Sequence, residues 1–360
     1  MEGSLQDFIE DVNGTGHLRI EHDFGDGFVR LQTSEAERRQ AAQDIRCSEN
    51  IVLEMLRNSR DARASHIFVA IAREGEKREI VIIDDGCGIP ASMHGIVFEP
   101  RVTSKLDTSH MDAWGLHGRG MALYSIAVNT LSAEVADSDA NKGCAIKVVS
   151  DLRKLPEKTD QSSFPEFRVA EDGSVNVRGP KNILRTVCEF AIQERSSCSV
   201  FVGSPSEIAA TLYAYGVATL ASIDRLFCKD EKQLPITKRL ATAADPASFA
   251  AIASSMGIEL SERTARRIID GEIEDIDPVL ERVVLSPDNP TSGGSRRGSK
   301  RSGSSKGIRL GADDVRALQD ATVKAFSEIA DAYYVEGDVV PKVMSRQNRI
   351  TITIPVVPKQ

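Results

Sequence analysis

The amino-acid sequence predicts an α+β fold in which helices layer on one face of a mixed sheet and a site lies at its open edge. Three observations carry the prediction. Residues 33–62 keep a helical character. The β-branched runs "SHIFVAIA" and "REIVIIDD" follow, with Arg73-Glu74-Gly75-Glu76 lying between them, as in a hairpin. "GRGMALYSIAVNTL" then reads as a further helix ahead of two more strands.

Taken in order, the first helical stretch breaks near Cys47 and Ser48. In the hairpin, Ile80–Ile83 is apolar without alternation, the mark of a strand covered on both faces. Residues 90–118 are irregular, carry glycine and histidine, and are too long for a simple connection. The helix after them sets Met121, Tyr124, Val128 and Leu131 on one face. Strands near Ala133–Ala136 and Cys144–Val149 complete a first unit over 33–155, behind an N-terminal segment 1–32. A second α/β and helical region is expected over 164–285. It holds the strands "EFRVA" and "SVNVR", a helix from Asn182 to Glu194, the strand "CSVFV", a helix opened by the cap-like Ser204-Pro205, and helices throughout Thr219–Val284. Among these, a helix, a Gly257 turn and another helix read as a helical hairpin, with a DNA-reading helix-turn-helix as the alternative. Residues 286–307 form a flexible Gly/Ser linker made basic by Arg296, Arg297, Lys300, Arg301 and Lys306, and 308–360 hold a last helix and the strand "RITITIPVV".

With 41% hydrophobic and 27% charged residues the chain has ordinary globular composition. Six scattered cysteines show no CxxC or Cys/His ligand spacing, which argues against a zinc site or a disulfide framework. No apolar run approaches the roughly 18 residues of a membrane span, and the N-terminus is acidic and polar. A cytoplasmic location with no membrane partner is therefore expected. The net charge of −8 provides no overall pull toward nucleic acid.

Chemistry concentrates in four segments. In "DDGCGIP", Asp84 ends a buried strand, where a carboxylate needs a partner, although an acidic turn would leave the same trace. Upstream, "ENIVLEMLRNSRDA" spaces Glu54, Asn58 and Asp61 by four and three, so all three project from one helix face, as a solvated stripe also would. "GLHGRG" places Gly115, Gly118 and Gly120 before a helix, exposing N–H groups and a positive dipole end as phosphate sites require. Between them, "VFEPRVTSK" supplies Thr103, Ser104 and Lys105 within reach of phosphate oxygens.

The order of these segments resembles the GHKL ATPase superfamily, which joins gyrase B, heat-shock chaperones, histidine kinases and MutL. "EMLRNSRDA" is similar to its first motif, "DDGCGIP" to its second, "FEPRVTSK" to its lid border and "GLHGRG" to its third. The resemblance covers residues 45–150 and implies a Bergerat-type two-layer α/β sandwich that binds ATP and Mg2+. It further implies roles. Asp84 accepts a hydrogen bond from the adenine amino group, and Gly86 and Gly88 let the backbone approach the base. Asn58 completes the coordination of Mg2+, and Glu54 orients or deprotonates the attacking water. Asp61 belongs to the same nucleotide-binding face. Gly118, Arg119 and Gly120 offer backbone N–H groups to the phosphates, and Lys105 closes on them.

Within the superfamily, "EMLRNSRDA" and "TSK" resemble MutL-like and topoisomerase-like members most, "GLHG" is nearer the gyrase form and "VFEP" nearer the histidine kinases. The resemblance thus implies an ATPase whose lid closure and nucleotide-dependent homodimerisation act as a clamp or switch, which in MutL-like and topoisomerase-like members often works on DNA. A chaperone-like ATPase acting on protein clients is the second reading and a histidine-kinase-like signalling protein the third. Two departures stand out. Arg119 occupies a position where the MutL pattern carries an acidic residue, and Cys144 one where threonine is common. Residues 164–285 are the candidate for a transducer-like domain.

Overall fold

The computed structural model describes residues 20–104, 110–112, 115–117, 120–169, 175–221, 225, 228, 230–283, 285–287, 312–330, 333–345 and 350–356. Residues 1–288 and 289–360 are two packing units. The first runs β1 (Ile20–Gly25), β2 (Phe28–Leu31), α1 (Glu35–Asp44), α2 (Ser48–Asp61), β3 (His66–Glu74), β4 (Lys77–Asp84), β5 (Val102–Thr103), β6 (His110–Asp112), β7 (Gly115–His117), α3 (Ala122–Asn129), β8 (Ser132–Ser138) and β9 (Cys144–Asp151). It continues with β10 (Glu166–Val169), β11 (Val175–Arg178), α4 (Ile183–Gln193), β12 (Ser199–Gly203), α5 (Pro205–Thr219), α6 (Pro246–Ser255), α7 (Glu262–Ile269) and β13 (Leu285–Pro287). The second unit holds α8 (Ala312–Ala330) and the antiparallel hairpin of β14 (Lys342–Ser345) and β15 (Ile350–Thr353).

The central sheet has the order β12-β3-β4-β9-β8. Its strands are antiparallel except that β12 runs parallel to β3, with Val200 opposite Ile67. Strand alternation sorts the side chains by face. Ile67, Val69, Ile80, Ile82, Ile146, Val148, Val200 and Val202 pack with the apolar sides of α2 and α4. Phe68, Ala70, Val81, Ile83, Ala145 and Phe201 face the other way, against α5, the 3-10 helix Ile236–Thr242, α6 and α7. Ile80–Ile83 is accordingly buried on both faces, as its unbroken apolar run requires.

The sandwich of sheet and helices is the one expected, and the region expected to follow it enters the same architecture. β12 forms an edge strand of the sheet, and helices from 205–269 cover its second face. The packing therefore continues across 155–164 rather than dividing there. Helix ends follow local chemistry. Ser34 caps α1 and Ser204 caps α5, each in a capping box with the glutamate three residues on.

Three expectations need correction. Helix α3 begins only at Ala122, because Gly120 (φ 68°) stands in the left-handed region just before it. Its buried side chains are Ser125 and Ile126, whereas Val128 and Leu131 are 48% and 51% exposed. Thr219–Val284 is not helical throughout, since Pro235 and Pro278 each introduce only a short 3-10 turn. The N-terminal segment contributes a β1–β2 hairpin whose β2 pairs with β5, and β10 pairs in parallel with a strand β13 that sequence pattern left unmarked. The six cysteines are free thiols, and burial pushes those of Cys188 and Cys198 up to about 12 and about 11. Among the described residues no helix is long and apolar enough to cross a membrane.

Candidate functional site

Helix α2 forms because Ile51, Val52, Met55 and Leu56 give it a continuous apolar face against the sheet. Its remaining face carries Glu54, Asn58 and Asp61 to a cavity of about 500 Å³. Asp84, Gly88, Thr103, Ser104 and Gly120 line the same cavity, so three of the four motif segments and the glycine that ends the fourth converge there. Gly86 lies beside Asp84 but is not part of the lining, and Gly115 is the first residue of β7. Lys105, Gly118 and Arg119 lie outside the described residues, as do the basic linker residues.

Asp84, which ends β4, and Asp85, which follows it, bind different segments. Asp84 is 6% exposed; its Oδ2 accepts from Ser59 Oγ at 2.7 Å and its Oδ1 from the Gly86 N–H at 2.9 Å. Asp85 accepts from the N–H groups of Ser65 and His66 at 2.7 and 2.8 Å and sits 2.7 Å from His66 Nδ1, which pins the start of β3. Burial acts to raise the Asp85 carboxyl, but the bonds from the His66 ring, the His66 backbone and the Ser65 backbone outweigh it and hold the group below the usual carboxylate range.

The loop after Asp84 is shaped by close approaches to the protein's own backbone. At Gly88 (φ 69°) a Cβ would stand 2.0 Å from the Asp139 carbonyl oxygen, and at Gly143 (φ 85°) 2.2 Å from that of Asp84. Only glycine fits either position. The Ile89 N–H donates to Ser138 Oγ at 2.7 Å, and Ser138 Oγ donates to the Gly143 carbonyl at 2.8 Å, which ties this loop to the turn before β9.

Around the remaining wall, Arg57 Nη1 donates to Glu54 Oε1 at 2.6 Å and fixes the direction of that carboxylate. Arg60 Nε donates to Asp61 Oδ1 at 3.0 Å. The Asn58 Nδ2 is buried with no hydrogen-bond partner, an unspent donor at the position expected to meet phosphate and metal. Five carboxylates, of Glu37, Asp44, Glu54, Asp61 and Asp84, and two guanidiniums, of Arg57 and Arg101, line the cavity among the described residues. Such a wall repels a bare polyanion and suits one that arrives with cations. Apolar side chains including Ile82, Ile89, Val97 and Ile146 supply the low-polarity part that a flat base needs. Among the described residues no cluster of three or more His, Cys, Asp or Glu could hold a metal alone, so Mg2+ here would depend on Asn58 together with oxygens of the ligand. The residues present fit that arrangement.

Sequence pattern had not pointed to Ser59, Arg57, Glu37 or Arg101. Ser59 follows Asn58 directly and is legible only once Asp84 is known to face it. Glu37 and Arg101, whose side chains form an ion pair across the cavity rim, lie on separate elements with no shared motif.

Residues 43–154 match the profile of the family described as histidine kinase-, DNA gyrase B-, and HSP90-like ATPase. The DNA mismatch repair protein MutL of Staphylococcus aureus strain Newman is 32% identical over 117 residues, which is 31% of this chain and 17% of that protein, and MutL of strain JH1 gives the same figures. The chain therefore aligns with less than a fifth of the length of these curated relatives. Among solved structures, the mycobacterial sensor histidine kinase MprB is 23% identical and covers 34% of this chain and 75% of its own, with a TM-score of 0.21. Residues 43–154 thus form a domain of the histidine kinase-, DNA gyrase B- and HSP90-like ATPase family, the GHKL superfamily, with MutL among its similar members.

Proposed function

We propose that this domain binds ATP with Mg2+ and hydrolyses it, and that nucleotide binding closes a lid and a homodimer as a clamp or switch in DNA transactions. The observation that carries the reading is the convergence of Glu54, Asn58, Asp84, Gly88, Thr103 and Gly120 on one cavity. Asp84, oriented by Ser59 and Gly86, accepts a hydrogen bond from the adenine amino group. Thr103 and Ser104 reach the phosphates, joined by Lys105 and the backbone of Gly118 and Arg119. Asn58 holds Mg2+, which supplies positive charge to the phosphates when bound. The excess of carboxylates around the cavity supports a strict Mg2+ requirement. Glu54, steered by Arg57, orients the attacking water and takes its proton. Residues 164–285 act as the transducer-like part, because β12 shares the sheet whose strand β4 ends in Asp84.

The clamp and its DNA role rest on the similarity to MutL, a DNA mismatch repair protein. Phosphate release from ATP, measured with and without Mg2+, duplex DNA, single-stranded DNA and unfolded protein, tests the reading. Mg2+-dependent turnover stimulated by DNA is expected, with a shift from monomer toward dimer on a non-hydrolysable ATP analogue in sedimentation. Absence of nucleotide binding refutes the ATPase. An unchanged sedimentation profile at saturating analogue refutes the clamp, and stimulation by unfolded protein alone moves the chain to the chaperone-like reading.

A further inference from the structure

Arg101 belongs to "VFEPRVTSK" but not to its Thr-Ser-Lys cluster. It stands in the left-handed region at φ 56°, unusual for a long side chain. Its carbonyl accepts the Leu31 N–H at 3.0 Å, and the next two residues, Val102 and Thr103, pair with Arg30 and Val29 of β2. The β1–β2 hairpin thereby holds the backbone in place, and the side chain lines the cavity at 11% exposure. Gly120, which precedes α3, lies alongside: a Cβ there would come within 3.4 Å of the Arg101 carbonyl carbon.

The guanidinium is only partly satisfied. Its Nη2 donates to Glu37 Oε1, while its Nε is buried with no partner. A planar guanidinium presents Nε and Nη as a fork that matches two oxygens of one phosphate. Here one tine is committed and the other is unspent inside a cavity. Glu37 does not depend on this pair. Its Oε2 accepts from the Ser34 N–H at 2.9 Å and from Ser34 Oγ at 3.0 Å, and the residue is 38% exposed. The Ser34 backbone bond, against the opposing effect of burial, and then the Ser34 hydroxyl and Arg101 hold its carboxyl below the usual range, so it stays charged. When Arg101 turns away, Glu37 keeps its cap bonds and gains water, and no buried charge is stranded.

We propose that Arg101 binds the terminal phosphates of the nucleotide through Nε–H and Nη–H, and that Glu37 holds it in the nucleotide-free chain and yields it on binding. The proposal rests on the nucleotide reading of the cavity and adds to it a residue to which the resemblance assigns no role. Calorimetric titration of the full chain with adenosine, ADP and ATP, all with Mg2+, separates the two. Arg101→Gln is expected to lose roughly ten- to a hundredfold in ATP affinity while binding adenosine within about twofold of the wild type. Arg101→Lys, which keeps charge but loses the fork, should fall between. Glu37→Gln, which retains the capping box, should bind ATP as tightly as the wild type or more tightly. Wild-type ATP affinity in Arg101→Gln, or equal losses for adenosine and ATP, overturns the proposal while leaving the nucleotide reading intact. An ATP loss in Glu37→Gln as large as in Arg101→Gln overturns the exchange. A wild-type chain that binds neither adenosine nor ATP refutes the nucleotide reading, and the proposal with it.

Discussion

Replacing Asp84 with asparagine keeps the side-chain volume and removes the charge that is proposed to read adenine. The fold should tolerate it. The amide oxygen still accepts the Gly86 N–H now 2.9 Å away, and the amide nitrogen faces Ser59, whose hydroxyl can turn from donor to acceptor. The β4 ladder to Ile67 and Cys144 is backbone and unaffected. What is lost is a charge-assisted acceptor for the adenine amino group, worth about 1.5–3 kcal/mol, so ATP and adenosine affinity should both fall roughly ten- to a hundredfold. Ser59→Ala removes the 2.7 Å bond that orients the carboxylate and should cost about 0.5–1.5 kcal/mol, roughly two- to tenfold in affinity. Because Ser59 acts through Asp84, the double variant should bind like Asp84→Asn alone, within about twofold. Calorimetric titration of the four proteins with adenosine measures this directly. Wild-type affinity in Asp84→Asn would reduce "DDGCGIP" to an acidic turn, and additive losses would show that Ser59 contributes independently of Asp84.

Glu54→Gln, which can still accept from Arg57, should keep ATP affinity and slow phosphate release by roughly 10² or more; hydrolysis at the wild-type rate would remove Glu54 from the chemistry. Gly88→Ala places a Cβ 2.0 Å from the Asp139 carbonyl oxygen at φ 69°. Left-handed backbone and overpacking together should cost about 2–5 kcal/mol in urea unfolding, and an unshifted midpoint would contradict the close approach. Asp85 has a folded pKa below its unfolded value, so its contribution is fully present above the ordinary aspartate pKa, about 3.9, and is lost as pH falls through the lower folded value. From pH 6 to 3 the urea midpoint of the wild type should therefore drop more steeply than that of Asp85→Asn, and parallel curves would exclude the His66–Asp85 pair as a source of stability.

The amino-acid sequence by itself determined what local periodicity can encode. The break between α1 and α2, the β3–β4 hairpin, the Ser204 cap and the polar face of Glu54, Asn58 and Asp61 all appear where pattern put them, because each depends on residues within a turn or two of one another. Even the double burial of Ile80–Ile83 was written in the run itself, although nothing there said which helices would cover its second face. Tertiary structure decided the rest. The parallel pairing of β12 with β3, the seat of Ser59 against Asp84, the Glu37–Arg101 pair and the glycine at 143 under the Asp84 carbonyl join segments far apart in the chain. Such contacts leave no periodic trace in either partner, because their geometry exists only once the sheet has brought the two backbones together.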